Sequence, residues 1–294
     1  MKKAISRKNI LQSAPAFLKQ TVGRLLEPVP VQWLLGRTFR EHRERLRSAQ
    51  WWKAEEARKH QLAGLRAILA LAYERTIFYR RQFDAVGFQP GGLQSPEQIR
   101  SLPTVDRNAI TENLADMCTK SVSARDVDQI STGGTSGSPL YFYANASRSA
   151  VEYAYLTSSW ARAGYKLGMP MAVLRGRVVR ADRDGLYHEY DPLLRHHHYS
   201  SFHMSDENMG RYVEHMATIG PCFLHVYPST VAALARFLRR MGRQAPANVR
   251  GIIAESEIVY PEQRQMVEEV FGCRYFSDSA TTEKIVLAAE CEHS

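Results

Sequence analysis

Residues 222–277 read CFLHVYPSTVAALARFLRRMGRQAPANVRGIIAESEIVYPEQRQMVEEVFGCRYFS, and their pattern decides the fold class. Cys222–Val226 is a short apolar run of strand length. Behind Pro228-Ser229, the residues Val231, Leu234, Ala235 and Leu238 recur at helical spacing. Val249–Ile253 is a second strand run. Pro261 then stands in the first turn of a helix carrying Met266, Val267, Val270 and Phe271, which Gly272 stops. Cys273–Ser277 supplies a third strand. Strand–helix–strand–helix–strand with short connections predicts a parallel sheet. The expected class is α/β: a mixed, largely parallel sheet with flanking helices. Ligands of open parallel sheets bind beyond the carboxyl ends of the strands. His225-Val226-Tyr227, Glu255-Ser256-Glu257 and Ser277-Asp278-Ser279 stand at those ends, so three polar clusters are expected to line one crevice.

Upstream, Met171–Leu174 reads as another strand and residues 147–163 as a helix. Residues 180–205 are polar, charged and rich in His and Tyr, and their pattern assigns no element. Val127–Ser131 and Leu140–Ala144 read as short strands around a polar loop, Thr132-Gly133-Gly134-Thr135-Ser136-Gly137-Ser138-Pro139. From Trp51 to Phe83 the periodicity is helical, with Leu62, Leu65, Leu69, Ala72 and Tyr73 on one stripe. Gly87 closes that region. Ser95-Pro96-Glu97-Gln98 has the form of a capping box, and Asp106 marks a further helix start. No internal repeat or low-complexity tract is visible.

The charge is local. Of 39 Lys and Arg and 30 Asp and Glu, residues 1–60 hold 14 and 5, which accounts for the whole net charge of +9. A nucleic-acid-binding body is therefore not expected, and no RNA- or DNA-reading motif is present. The expected organisation is a basic, partly amphipathic arm over 1–47 and an enzyme-like body over 48–294. In the arm, Ile10, Leu11, Ala14, Phe17, Leu18, Leu25 and Leu26 recur at roughly helical spacing, with Lys8, Lys19 and Arg24 between them. Such a helix suits either peripheral contact with an anionic membrane or packing on the body with its charges solvated. No apolar run approaches the ~18 residues of a membrane span, and no signal-peptide pattern follows Met1-Lys2-Lys3. Four scattered cysteines without a C-x-x-C pair fit a reducing, cytoplasmic setting.

The loop at 132–139 is the sharpest chemical feature. Its glycines let backbone N–H groups turn toward a ligand, and Thr132, Thr135 and Ser136 add hydroxyl donors. Phosphate oxygens want this convergence of donors. The loop is not a Walker A motif, because Gly137 is followed by Ser138-Pro139 and then by a strand. A glycine-rich hairpin without a ligand is the plain alternative. Past the third strand, Thr281-Thr282-Glu283 places a carboxylate where Mg²⁺ shared with phosphate oxygens would sit.

Together these pieces resemble the adenylate-forming superfamily, specifically the phenylacetate–CoA ligase-like group that includes capsular polysaccharide biosynthesis (CapK-like) proteins. The resemblance runs from about residue 50 to the end and implies the large N-terminal domain of those enzymes. Ser131 through Pro139 is similar to the family's Ser/Thr/Gly-rich loop, which implies ATP β,γ-phosphate contacts for Thr132, Gly133, Gly134, Thr135, Ser136 and Gly137. Pro221 through Leu238 is similar to the strand–helix segment beside the acyl pocket, implying Tyr227 and Ser229 as substrate contacts. Ala254-Glu255-Ser256-Glu257 is similar to the segment lining the adenine and acyl site. Asp278 through Glu283 is similar to the aromatic-Gly-x-Thr-Glu motif, implying an α-phosphate contact for Thr282 and Mg²⁺ ligation by Glu283. Ser279 and Ala280 stand where the family has an aromatic residue and Gly, which removes a stacking surface for adenine. Leu140 stands where many members have Lys.

The implied activity is ATP-dependent activation of a carboxylic acid as an acyl-adenylate, with ATP and Mg²⁺ as cofactors and CoA as one acyl acceptor. The family continues past this chain's last residue with a ribose-binding Asp and a mobile domain carrying a catalytic Lys. The chain is accordingly expected to be truncated before that domain. A catalytically silent nucleotide- or acyl-binding relative, or a piece of a longer ligase, stays open beside the active enzyme. His196-His197-His198, with His188 and His203, is not read as a metal site, because adjacent strand residues point to opposite faces.

Overall fold

The computed structural model describes residues 21–22, 25–26, 28–119, 127–132, 139–145, 147–182, 184–282 and 284–293. The chain forms two compact units, Met1–Arg43 with Ala150–Ser294, and Glu44–Ser149. Its elements are α1 (Val31–Leu34), α2 (Gly36–Ala49), α3 (Ala54–Arg75), α4 (Ile77–Ala85), α5 (Arg107–Met117), β1 (Val127–Ser131), β2 (Tyr141–Asn145), α6 (Arg148–Trp160), β3 (Met171–Leu174), β4 (His188–Asp191), β5 (His196–Tyr199), α7 (Asp206–Thr218), β6 (Cys222–Val226), α8 (Pro228–Arg240), β7 (Val249–Glu255), α9 (Pro261–Phe271), β8 (Tyr275–Ala280) and β9 (Leu287–Ala289).

The larger unit is built on a seven-stranded sheet in the order β4-β5-β3-β6-β7-β8-β9. The five central strands are parallel; β4 and β9 run antiparallel at the two edges. The expected mixed, largely parallel α/β sheet is the one observed. Strand alternation sorts the side chains onto two faces. Ala172, Leu174, Leu224, Val226, Ile252, Ala254 and Tyr275 face α7, α8 and α9, packing with Tyr212, Val213, Met216, Val231, Leu234, Leu238, Val267 and Phe271. Met171, Val173, Phe223 and Ile253 face the other way, onto Leu156 and Trp160 of α6 and Tyr165. Each fully buried large apolar side chain of this kind contributes about 1.5–3 kcal/mol. The third strand begins at Tyr275 rather than Cys273, because Gly272 at φ 62° caps α9 and the chain must turn before pairing with Ile252.

The polar stretch at 180–205, unassigned from its pattern, supplies the hairpin β4–β5. Its faces are filled by His and Tyr rather than by aliphatic side chains, and apolar runs are therefore missing. His197 and Tyr199 lie on the α7 side, whereas His196 contacts Tyr153 of α6 (Tyr153 Oη to His196 Nε2, 3.3 Å). The adjacent histidines do separate onto opposite faces.

In the smaller unit, α3 and α4 pack Leu62, Leu65, Leu69 and Tyr73 against Phe83, Phe88, Leu93 and Leu102. The expected long helix breaks at Thr76, which adopts extended backbone and accepts a hydrogen bond from the Tyr79 N–H as an N-cap. Asp106 caps α5 by accepting from Ala109 N–H at 2.8 Å. Ser95 and Gln98 form the expected capping box, on a short 3₁₀ helix. Strands β1 and β2 pair antiparallel from Val127–Asn145 to Ser131–Tyr141.

Candidate active site at the carboxyl edge of the sheet

Four adjacent parallel strands deliver polar side chains to one edge of the larger unit. Arg175 directly follows β3, Tyr227 follows β6, Glu255 ends β7, and Asp278 lies near the end of β8. Alternation sends His225, Glu255 and Asp278 to the α6 face, where apolar Met171, Val173, Phe223 and Ile253 surround their lower parts. The three expected polar clusters therefore come together.

Arg175 organises the group. Its Nη1 forms a direct ion pair with Glu255 Oε1, and its Nη2 donates to Ser256 Oγ at 3.3 Å. Its guanidinium lies 5.4 Å from the centre of the Tyr227 ring. Glu255 Oε1 is also 3.1 Å from His225 Nε2. The carboxylate end of this array is buried, at 5% side-chain exposure, while the guanidinium keeps 29%. Arg175 Nε is buried without a hydrogen-bond partner among the described residues. An orphan buried donor of this kind costs about 1–3 kcal/mol.

Burial opposes ionisation of Glu255, but the contacts of His225 and the charge of Arg175 outweigh it and hold the carboxyl below its usual range. His225 is driven the other way: burial first, with Arg175's charge adding, keeps its imidazole neutral despite Glu255. Asp278 differs again. Its Oδ2 accepts from Trp160 Nε1 at 3.0 Å and its Oδ1 from Ser159 Oγ at 3.2 Å. Burial nevertheless pushes it up from 3.8 to about 6, and the neighbouring charge of Glu255 pushes the same way. Two carboxyls with opposed shifts on one edge mark a candidate functional site.

The expected site residues fare unequally. Tyr227, Glu255 and Ser256 belong to the array, Ser256 at a left-handed φ of 72° that a non-glycine residue adopts at a cost. Ser229 is held by Glu257, which accepts from its backbone N–H at 2.8 Å and from Oγ at 3.0 Å. Ser279 and Ala280 lie exposed at the end of β8, opposite Ala288 and Leu287 of β9, and offer no ring for stacking. Thr282 lies exposed in the following turn, whose Lys284 pairs with Glu152 of α6. Thr132 accepts from Leu140 N–H at 3.0 Å and closes the base of its loop, its own hydroxyl proton still available to donate. Gly133, Gly134, Thr135, Ser136, Gly137 and Glu283 lie outside the described residues, as do Ile10, Leu11, Ala14, Phe17 and Leu18 of the amphipathic arm. No helix among the described residues is long and apolar enough to cross a membrane.

Arg175 escaped the reading of the sequence. The visible signal was an Arg-Gly pair directly after the apolar run Met171–Leu174. A Cβ at Gly176 would come within 2.9 Å of Tyr227 Oη, so a larger residue there would displace the Tyr227 ring.

Comparison with known proteins places this edge in context. Two solved structures of 2-hydroxyisobutyryl-CoA ligase superimpose well. One, with 2-HIB-AMP and CoA in the thioesterification state, gives a TM-score of 0.63 at 22% identity over 82% of this chain and 53% of that one. The other, an open conformation with the same two ligands, gives 0.61 at 20% identity over 81% and 53%. The chain has the adenylate-forming ligase fold. Protein CapK of Staphylococcus aureus is 24% identical over 187 residues, 63% of this chain and 41% of that protein. The expected resemblance is thus met in sequence by CapK and in fold by the CoA ligase. No family model matches the chain. The ligase fold is represented here by a chain that spans about half the length of these solved relatives and less than half of CapK.

Proposed function

We propose that this chain is the nucleotide- and acyl-binding body of an adenylate-forming ligase of the phenylacetate–CoA ligase-like group. The reaction joins a carboxylic acid to ATP. A carboxylate oxygen attacks the α-phosphorus, the bond from that phosphorus to the bridging oxygen breaks, and pyrophosphate leaves with the electron pair. The acyl-adenylate then passes its acyl group to a thiol, with CoA as the acceptor and AMP released.

The observation that carries this reading is the array Arg175–Glu255–His225 with Asp278 at the carboxyl edge, in a fold shared with CoA ligases. Ligands of such sheets bind at this edge. An ionised, buried Glu255 holds the Arg175 guanidinium in place, so that the exposed part of its positive charge is presented to an anionic substrate at no reorganisation cost. Tyr227 lies beside that guanidinium and offers an apolar wall to an acyl group. Thr282 in the exposed turn supplies a hydroxyl for the α-phosphate. The hydroxyl- and glycine-rich loop at 132–137 supplies donors for the β,γ-phosphates, the oxygens on which charge develops. Mg²⁺, when bound, would neutralise phosphate charge; Glu283 is its proposed ligand, and a single carboxylate with phosphate oxygens is the donor set that this hard ion prefers. The four cysteines are free thiols, which accords with the cytoplasmic setting proposed here. Capsular polysaccharide assembly is the proposed context, by likeness to CapK.

The test is pyrophosphate release from the purified chain with Mg-ATP and a panel of aliphatic and aryl acids. Acid-dependent release that Glu283→Ala abolishes supports the reading. The exposed Ser279-Ala280 pair, without a stacking ring, favours a second reading in which the chain binds nucleotide or acyl group without turnover. Mg-ATP binding with no release under any acid is its signature.

A further inference from the structure

Outside the carboxyl edge, the described residues contain one group of metal-ligating side chains that converges. One nitrogen each of His188 in β4, His197 in β5 and His215 in α7 lie within 4.8 Å of one another. We propose that these three imidazoles form a binding site for a borderline transition metal, with Zn²⁺ the expected ion, clamping the edge hairpin β4–β5 to α7.

The geometry follows from strand register. His188 pairs with Tyr199 and His197 with Tyr190, so His188 and His197 are diagonal neighbours on one face of the hairpin. That face is covered by α7, whose His215 completes the triangle. His188 Nε2 lies 3.1 Å from His197 Nδ1. Two nitrogens held at ~2.0–2.1 Å from a tetrahedral Zn²⁺ stand about 3.3 Å apart, so this pair is already near its liganding separation. The His188 and His215 ring centres are 4.2 Å apart.

The outer partner also suits a metal. His215 Nδ1 is 2.7 Å from Tyr199 Oη. With Nδ1–H donating to that oxygen, Nε2 keeps its lone pair for the ion, the arrangement that orients ligating histidines generally. All three rings are half-buried, and burial above all keeps them neutral: His188 is lowered to about 3, His197 to about 4, and His215 in the same direction. Neutral imidazole is the ligating form, and the proton shared between His188 Nε2 and His197 Nδ1 must shift to the donor ring's other nitrogen or leave when the metal enters. Three nitrogens with no carboxylate select Zn²⁺, Co²⁺, Ni²⁺ or Cu²⁺ over Mg²⁺ and Ca²⁺, which want oxygen. A three-His set leaves a fourth position for water.

Among the three histidines in a row, only His197 takes part; His196 faces α6. The run itself does separate onto opposite faces, but His197 converges with His188 of β4 and with His215, which comes from α7 and stands outside the His-rich stretch.

The experiment uses the full chain, stripped with a chelator and titrated with Zn²⁺ and separately with Co²⁺. One equivalent of Zn²⁺ bound, a rise in melting temperature, and the intense visible absorption of tetrahedral Co²⁺ are expected. His215→Ala and His197→Asn should weaken binding by tenfold or more and abolish the thermal shift. Tyr199→Phe should weaken it about 10- to 100-fold. His196→Asn, on the opposite face, should bind as the parent does. No uptake by the parent, octahedral Co²⁺ absorption in the parent, or equal affinity in His215→Ala would overturn the site. The Co²⁺ spectrum of the parent decides the matter even where a variant fails to fold.

Discussion

Asp278 is the residue whose chemistry runs most clearly against stability. A folded value of about 6 against 3.8 for the free side chain means that the native state holds a proton that the unfolded chain releases. Stability contributed by that proton is full below pH ~4 and is lost as pH rises to about 6. The shift corresponds to roughly 3 kcal/mol, carried as a burden at neutral pH. Asp278→Asn should therefore be more stable than the parent at pH 7.5 by up to about that amount, and equal to it near pH 4. Urea unfolding of both proteins at the two pH values checks this; parallel stability curves would contradict it. A buried carboxylate kept at such a cost argues for a role in binding or chemistry rather than in folding. Glu255 has the opposite sign. Truncating it to Ala strands the Arg175 guanidinium, which is only 29% exposed. The loss should be about 1–3 kcal/mol, below the 3–5 kcal/mol of a fully buried pair because Arg175 still reaches water. Denaturant midpoints of the variant and parent measure it.

At the scale of elements, β7 and β6 meet where Gly251 leaves room for the Phe223 ring. A Cβ at Gly251 would stand 2.8 Å from Phe223 Cε1 and 3.1 Å from Cδ1. Phe223 is packed with Trp160 and Tyr165 and has nowhere to go. Gly251→Ala should cost about 1–3 kcal/mol through overpacking, read as a lowered urea midpoint with unchanged slope. The strands and helices of 222–277 were legible because both faces of each central strand are covered, which writes continuous apolar runs into the sequence. The helix starts at Asp106 and Thr76 differ in the same way. Asp106 announces itself before a polar-apolar helical pattern, whereas Thr76 lies inside an unbroken one and its break is visible only in the backbone. The hairpin β4–β5 was illegible because its faces are filled by His and Tyr, whose partners on α6 and α7 are far away in sequence. In the site, the polar ends of β6, β7 and β8 could be located by counting to the ends of apolar runs. The salt link between Arg175 and Glu255 could not, because it joins strands 80 positions apart in the chain and no local pattern encodes it.

For the whole molecule, the basic excess sits in the first 60 residues, and residues 61–294 balance in charge. Binding of an anionic nucleotide must then come from a few placed donors rather than from a general positive field. Arg175 is the charged donor at the sheet's edge, so its removal should reduce nucleotide or acyl-adenylate affinity without changing the fold's secondary structure. The most direct measurement is calorimetric binding of non-hydrolysable acyl-sulfamoyl adenosines, with aliphatic and aryl acyl groups, to the parent chain and to Arg175→Ala. Binding to the parent by at least one analogue, tighter than ATP alone and weakened tenfold or more in the variant, is the predicted result. No binding of ATP or of any analogue to a folded parent chain would contradict the claim that this edge is an adenylate site.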